Sequence, residues 1–357
     1  MGKEGLNYAP QGKAEPVCEK GDFPFAVAAL DHGHIYGQTN GLLEAGGELR
    51  WVYDPDPKKV EAFCETYPQA KPVDSLEKIL EDDAIKMVSA AAIPSDRGPL
   101  GIRVMEAGKD YFTDKTPFTT LDQLAEARAV VGRTGQKYMV YFSERLHVEC
   151  AVHAGDLIHD GVIGRVLQVI GLGPHRLSAD KRPDWFFKKA QYGGILTDIG
   201  SHQIEQFLYY TGSTDAEVTH AAVANYNNKE AYPELEDFGE ANLVGNTGAA
   251  NYFRVDWFTP DALATWGDGR TIILGTEGYI ECRKYTDAGS SSTQDVLILV
   301  NGEKEERHEV NGKVGFPFFG QMILDSINRT ETAMTQEHTF KAAELCLVAQ
   351  SKAKRIE

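Results

Sequence analysis

The sequence predicts an α/β chain of two domains: a doubly wound parallel sheet, then a second sheet that is mostly antiparallel. Three observations carry this. The chain has 357 residues, about twice the size of a common compact domain. From residue 25 to 142, short apolar runs alternate with stretches of helical period, the rhythm of parallel strands joined by right-handed crossovers. From residue 217 to 310, strands follow one another with only turns between them, which favours antiparallel pairing.

The predicted strands of the first domain are Phe25–Leu30, Leu49–Tyr53, Met87–Ile93, Tyr111–Thr113 and Lys137–Phe142. Helical periodicity runs through Ile35–Ala45, Pro57–Tyr67, Ser75–Glu81, Gly98–Ala107 and Leu121–Val131. The second domain opens with a helix at Val148–His159 and a strand at Val166–Gly171, then a polar loop and a helix at Ile195–Tyr210. Strands follow at Val218–Ala224, Glu240–Val244, Ala250–Trp257, Thr271–Leu274, Tyr279–Arg283 and Asp295–Val300. Two helices, Phe316–Ile327 and Phe340–Lys354, close the chain. The expected division is a polar N-terminal tail (1–22), a nucleotide-type domain (23–144) and a second domain (145–357).

Composition excludes several classes. With 36 basic and 53 acidic residues, the net charge is −17, which repels nucleic acid and anionic lipid. No apolar run reaches the ~18 residues of a membrane span. The first 22 residues lack the apolar run of a secretory signal and read as a loose tail. The five cysteines are scattered and follow no metal-ligand spacing, as expected for reduced thiols in a cytoplasmic enzyme without structural zinc.

Three segments carry candidate chemistry. In "FAVAALDHGHIYG", Gly33 takes the middle slot of a G-x-G-x-x-G turn between a strand and a helix, with Asp31 and Tyr36 in the outer slots and Gly37 one residue late. The middle glycine lets a pyrophosphate approach the backbone, and the helix start that follows attracts anions. Asp31, His32, Gly33, His34 and Ile35 are therefore cofactor-binding candidates. Asp54, at the end of the second strand, stands where a carboxylate meets the adenosine ribose. The bland alternative is an ordinary strand–helix turn with surface histidines. "DHGH" lacks a further nearby ligand, so no metal is expected. In "GGILTDIGSHQIEQF", Asp198 and His202 are four apart on a predicted helix. A carboxylate beside an imidazole can orient it as a general base; the alternative is a helix-start aspartate and a packed histidine. In "GKDYFTDKTPFTT", Lys115 follows a parallel strand at its carboxyl edge, where such sheets bind ligands.

Together the three segments resemble the Gfo/Idh/MocA family of oxidoreductases, and the resemblance runs from residue 25 to 357. "AAIPSD" is similar to the family's Thr-Pro segment, which adds Ile93 and Pro94 to the cofactor candidates. "AGKDYFTDKTP" is similar to its Glu-Lys-Pro segment, "GGILTDIGSHQIE" to its later Asp/His motif, and Gly275–Gly278 to its Gly-Thr-Glu-Gly hairpin. The resemblance implies a Rossmann domain followed by an α/β domain with a large open sheet, used for dimers or tetramers, with the last helices packed back on the Rossmann domain. It implies NAD or NADP, a sugar, cyclitol or related polyol as substrate, and Lys115, Asp198 and His202 as the catalytic set. His202 would be the acid/base, which Asp198 and Lys115 tune and position. Asp54 favours NAD, and Lys58 and Lys59 work against that preference. Arg145 matches a family arginine that either holds the structure or lines the site. The chain departs from the pattern at Asp31, Tyr36, Asp114, Thr116, Ile93, Ser95 and Glu205.

The loop Pro174–Lys189 sets basic residues among aromatics. Trp185 and Tyr192 are candidates to stack on a sugar ring, and Arg176 or Arg182 to meet a substrate carboxylate; the alternative is a set of solvated loop charges. Two other functions stay open. One is a glycoside lyase or hydrolase that recycles its NAD internally. The other is a non-catalytic relative that binds sugar or nucleotide.

Overall fold

The computed structural model describes residues 8–290 and 294–357. The chain divides into two compact units. The first holds the described residues up to Tyr141 together with Phe316–Phe340; the second holds Phe142–Gly315 and Lys341–Glu357.

In the first unit, β1 (Pro24–Ala28), α1 (His34–Glu44), β2 (Glu48–Tyr53), α2 (Pro57–Thr66), β3 (Lys71–Pro72), α3 (Leu76–Leu80), β4 (Met87–Ala90), α4 (Pro94–Glu106), β5 (Asp110–Asp114), α5 (Leu121–Thr134) and β6 (Tyr138–Tyr141) alternate. The sheet order is β3-β2-β1-β4-β5-β6, parallel throughout. Strand order reverses beside β1, and ligands bind such sheets at that point. β1, β4, β5 and β6 are buried along their length, as expected of strands covered on both faces.

Helix α4 starts four residues earlier than the sequence predicts, because Pro99 reads as a helix breaker yet lies inside it. Pro99 has no N–H for the Ser95 carbonyl, and the Gln123 side-chain amide donates to that oxygen instead, at 2.8 Å. The stretch from Tyr8 to Asp22 is mostly exposed but is pinned at three points. Tyr8 is buried, the Gly12 N–H donates to Glu44, and the Val17 N–H donates to the Ala45 carbonyl. Residues 1–7 of the expected tail lie outside the described residues.

The second unit contains α6 (Ser143–Leu146), α7 (Glu149–His159), β7 (Val166–Pro174), α8 (Lys189–Tyr192), α9 (Ile195–Asp198), α10 (Gly200–Thr211), β8 (Ala216–Ala224), β9 (Phe238–Gly245), β10 (Ala250–Asp256), β11 (Gly269–Gly275), β12 (Gly278–Lys284), β13 (Val296–Asn301) and β14 (Glu305–Glu309). α11 (Pro317–Asn328) belongs to the first unit, α12 (Gln336–Lys352) runs through the division, and β15 (Lys354–Arg355) ends the chain in the second. Its sheet has nine strands in the order β14-β13-β12-β11-β7-β10-β9-β8-β15. Pairing is antiparallel except at β7/β10 and β8/β15. Helices α7, α9 and α10 pack against this sheet. Among the described residues no helix is long and apolar enough to cross a membrane.

Candidate active site

The glycine turn is held by side chains rather than by glycines. Ala29, just past β1, has a φ of 56°, in the left-handed region. Asp54, just past β2, accepts from the Leu30 N–H at 2.6 Å and the Asp56 N–H at 2.9 Å. Its side chain is only 1 % exposed, and Lys59 Nζ lies 3.8 Å away. Lys59 pairs more closely with Asp31, at 2.6 Å. The expected ribose carboxylate is thus engaged in holding the turn, with a lysine bridging it to Asp31.

Gly33 caps α1 with an ordinary backbone (φ −63°), so its conformation does not demand glycine. Gly33 itself brings no side-chain cap and no acid lies in the first turn; the His34 N–H donates to His32 Nδ1 at 3.2 Å, and the positive helix end still favours an anion. The close-packing role falls to Gly37: a Cβ there would lie 2.7 Å from the Tyr141 hydroxyl and 3.1 Å from the Tyr8 carbonyl. Ile93 caps α4, with Pro94 as its first residue.

His32 and His34 share the buried Asp114 at the end of β5. Nδ1 of His34 lies 2.8 Å from one carboxylate oxygen and Nδ1 of His32 3.3 Å from the other. Arg97, a buried residue of α4, donates to Asp114 at 3.1 Å, to the Ala92 carbonyl at 2.7 Å, and to the carbonyls of Lys115 and Thr116. One guanidinium therefore fastens the exits of β4 and β5 and the backbone that presents Lys115, itself buried. Burial opposes charge on Asp114, but His34 and Arg97 outweigh it and hold the carboxyl well below its usual range. Burial, then the neighbouring His34, pushes His32 well below the usual imidazole value despite Asp114. The ligand atoms of His32, His34 and Asp114 lie within 4.8 Å of one another, a spacing open to a metal ion. Arg97 already balances the single carboxylate, however, and a divalent cation would sit against it. The chemistry of the donor set favours a hydrogen-bonded network.

In the second unit, Gly193 and Gly194 turn the chain from α8 into α9 at φ 89° and 103°, a region costly for side chains. A Cβ on Gly194 would also meet the Gln350 side chain at 2.3 Å. The open N–H groups of α9 are capped by Glu236, which accepts from Ile195, and Gln350, which accepts from Leu196. Asp198 ends α9 and His202 lies in the first turn of α10, with Ile199 between the helices. The single helix expected over Ile195–Tyr210 is therefore two. Both Asp198 and His202 are buried. Glu205 accepts a two-pronged bond from Arg145 at 2.8 and 2.9 Å, and the guanidinium lies 3.8 Å over the Tyr209 ring. Arg145 is structural.

Two substrate candidates are spent elsewhere. Arg176 donates to the Pro260, Leu263 and Thr265 carbonyls and pairs with Asp261. It pins the 260–265 loop and is not available to a substrate carboxylate. Tyr192 is buried, its hydroxyl donating to the Glu234 carbonyl and accepting from the Glu236 N–H, so its ring cannot receive a sugar. Trp185 is half-buried, on a short turn beside Phe186. Arg182, the alternative candidate of the same loop, lies 4.3 Å over Phe186 and 4.8 Å over Trp257. Burial pulls it down to about 10, against the pull of Asp198.

A model of the oxidoreductase family with the NAD-binding Rossmann fold matches residues 27–142, and a model of the GFO/IDH/MocA C-terminal domain matches residues 152–281. The chain belongs to the GFO/IDH/MocA family. It resembles the crystal structure of a protein of Erwinia carotovora atroseptica SCRI1043 assigned as an oxidoreductase, at 48% identity and a TM-score of 0.91, covering 94% of this chain and 100% of that one. It is 27% identical to the scyllo-inositol 2-dehydrogenase (NAD(+)) of Bacillus subtilis (strain 168), over 71% of this chain and 72% of that protein. It is 26% identical to the D-xylose dehydrogenase of Paenarthrobacter nicotinovorans over 40% of this chain, a match spanning only 38% of that enzyme. As a GFO/IDH/MocA member the protein is an oxidoreductase whose first unit carries the NAD-binding Rossmann domain.

Proposed function

We propose that the protein is an NAD(P)-dependent dehydrogenase acting on a CH–OH group of a sugar, cyclitol or related polyol. The observation that carries this is the buried Asp198/His202 pair at the α9–α10 junction of a family oxidoreductase. In the oxidising direction a bound NAD would take the hydride, with both electrons, as the carbinol C–H bond breaks. The O–H proton goes to the His202 imidazole, and a carbonyl forms. Asp198 orients His202, and Lys115, on the Rossmann unit, stabilises the reacting oxygen. Gly33, His32 and His34 at the start of α1 would hold the cofactor's pyrophosphate, and the charge of Asp54, partly offset by Lys59, would disfavour a 2′-phosphate. The named relatives, acting on an inositol and on xylose, support the substrate class.

Fluorescence titration with NAD and NADP, then a polyol screen for reduced cofactor starting with scyllo-inositol and D-xylose, tests the reading. Tighter binding of NAD and turnover of at least one polyol are expected. Binding of neither cofactor overturns it. NAD retained without turnover favours the internally recycled lyase.

The open sheet supports self-association. Val300, Tyr279, Leu274, Gln168, Ala250 and Val244 fall in one cross-strand row, apolar but for Gln168, and Tyr279, Leu274 and Val244 are exposed. An exposed apolar row of this kind marks an interface. Light scattering should give a dimer or tetramer, and Leu274→Glu should shift it toward monomer; a monomeric wild type removes the idea.

A further inference from the structure

Beneath His202 lies a buried polar cluster that the reaction scheme leaves unused. Its centre is Glu144, on α6. Lys284, at the end of β12, pairs with Glu144 at 3.2 Å, and the two side chains are 1 % and 2 % exposed. Lys284 also donates to Gln206 Oε1 at 2.6 Å, and the Gln206 amide donates to the His202 carbonyl at 2.8 Å. Gln203 donates to Glu144 at 3.0 Å. Its side chain can lie across β7 because two residues there are glycine: a Cβ on Gly171 would meet Gln203 at 2.2 Å and one on Gly173 at 2.9 Å. The "GLG" of β7 is thus a seat for the cluster. His175, at the exit of β7, donates from Nδ1 to the Gly173 carbonyl at 3.1 Å and turns Nε2 toward Glu144 at 3.9 Å.

We propose that Glu144 is a positioning residue for the acid/base: held by Lys284 and Gln203, it fixes the turn that carries His202 and sets the pH at which that imidazole takes the substrate's proton. The proposal rests on the dehydrogenase reading of His202. A buried ion pair contributes little net stability, since desolvation offsets most of its attraction, so a cluster fastened to a reacting group calls for a functional account. The charges of Lys284, His202 and His175 outweigh burial and hold the Glu144 carboxyl down at about 2, so it is ionised wherever the imidazole titrates. Elements packed against α10 also carry Asp198 on α9, the Arg145–Glu205 pair, Asp256 of β10, paired with Arg254 at 3.2 Å, Glu240 on β9, and Glu149, His153, Asp156 and His159 on α7. Asp198 supports the imidazolium as Glu144 does; Lys284 opposes it.

The test is the titration of the His202 ring in the full chain labelled with ¹³C-histidine, its signal assigned by loss in His202→Asn. Glu144→Gln removes the carboxylate and leaves Lys284 facing the imidazoles. The His202 midpoint should then fall by about one pH unit or more, and the acid limb of kcat/KM for polyol oxidation should move with it. If Glu144→Gln does not fold, Lys284→Gln is read instead, and the midpoint should rise. An unmoved midpoint in the folded variant overturns the proposal, even if the rate falls, because a purely structural role lowers rate without moving a titration. Failure of the dehydrogenase reading looks different: His202→Asn then leaves turnover intact while the midpoint in Glu144→Gln still moves.

Discussion

Replacing His202 with asparagine is expected to lower kcat for polyol oxidation by about 10²–10⁴-fold, the usual contribution of a positioned acid/base. Asparagine can hold a hydrogen bond to the substrate hydroxyl but cannot accept its proton at neutral pH, so binding should suffer far less than turnover. The acid limb of the pH profile should also vanish, because the group that must lose its proton before accepting the substrate's is gone. NAD affinity, a property of the Rossmann unit, is the control. A kcat within tenfold of wild type would falsify the assignment of His202 as the base. Because His202 is buried in the first turn of α10, circular dichroism and melting must accompany the kinetics to separate lost chemistry from lost fold.

The residues of the candidate site that the sequence made legible are those whose partners are near in sequence. Asp198 and His202 stand within one motif, and the glycine pair before them announces its own left-handed turn. The strand–helix rhythm of the first 142 residues is likewise local, since buried parallel strands are short continuous apolar runs. The hydrogen-bonded partnerships were not legible. Arg97 meets Asp114, Glu144 meets Lys284 and Arg176 meets the 260–265 loop only after folding, across 17, 140 and more than 80 residues. A single sequence carries no pair information of that kind. Arg176 shows the consequence: a basic residue among aromatics reads as a ligand clamp, yet buried carbonyls claim its donors. β14 was missed for a different reason. Its sequence, EERHE, is charged at an outer sheet edge, where charge discourages pairing with another chain, so no apolar alternation marks it. The two-residue strands β3 and β15 are too short for any periodicity. Tyr36 and Gly37 show that the fingerprint's roles can shift by a residue: the third slot lost its glycine, and close packing moved to the next position on α1.

Asp114→Asn is expected to produce the largest loss of stability. The substitution keeps the shape but removes the negative charge that Arg97, His34 and His32 share, leaving a guanidinium buried without its counter-ion. Breaking a buried pair from one side costs about 3–5 kcal/mol; the Arg97 bonds to three backbone carbonyls survive, so the lower end, about 3 kcal/mol, is expected. At about 2–4 °C per kcal/mol for a unit of this size, melting should fall by roughly 6–12 °C. The pH dependence separates this from simple loss of packing. The folded-state pKa of Asp114 is depressed, so its contribution is fully present above the unfolded carboxylate value, near 4. That contribution is lost as pH falls below 4 toward the folded value. His32 acts in an earlier window: its folded pKa is lowered too, so stability is present above the unfolded imidazole value, about 6.5, and declines as pH falls below it. The wild type should therefore lose stability on acidification in two stages, from His32 and then from Asp114. In Asp114→Asn the second stage should flatten while the first persists, because removing the carboxylate leaves His32 still less able to charge. Denaturant titrations between pH 7 and pH 3 check this, and parallel curves for the two proteins below pH 4 would mean that Asp114 does not hold the 31–34 turn through its charge.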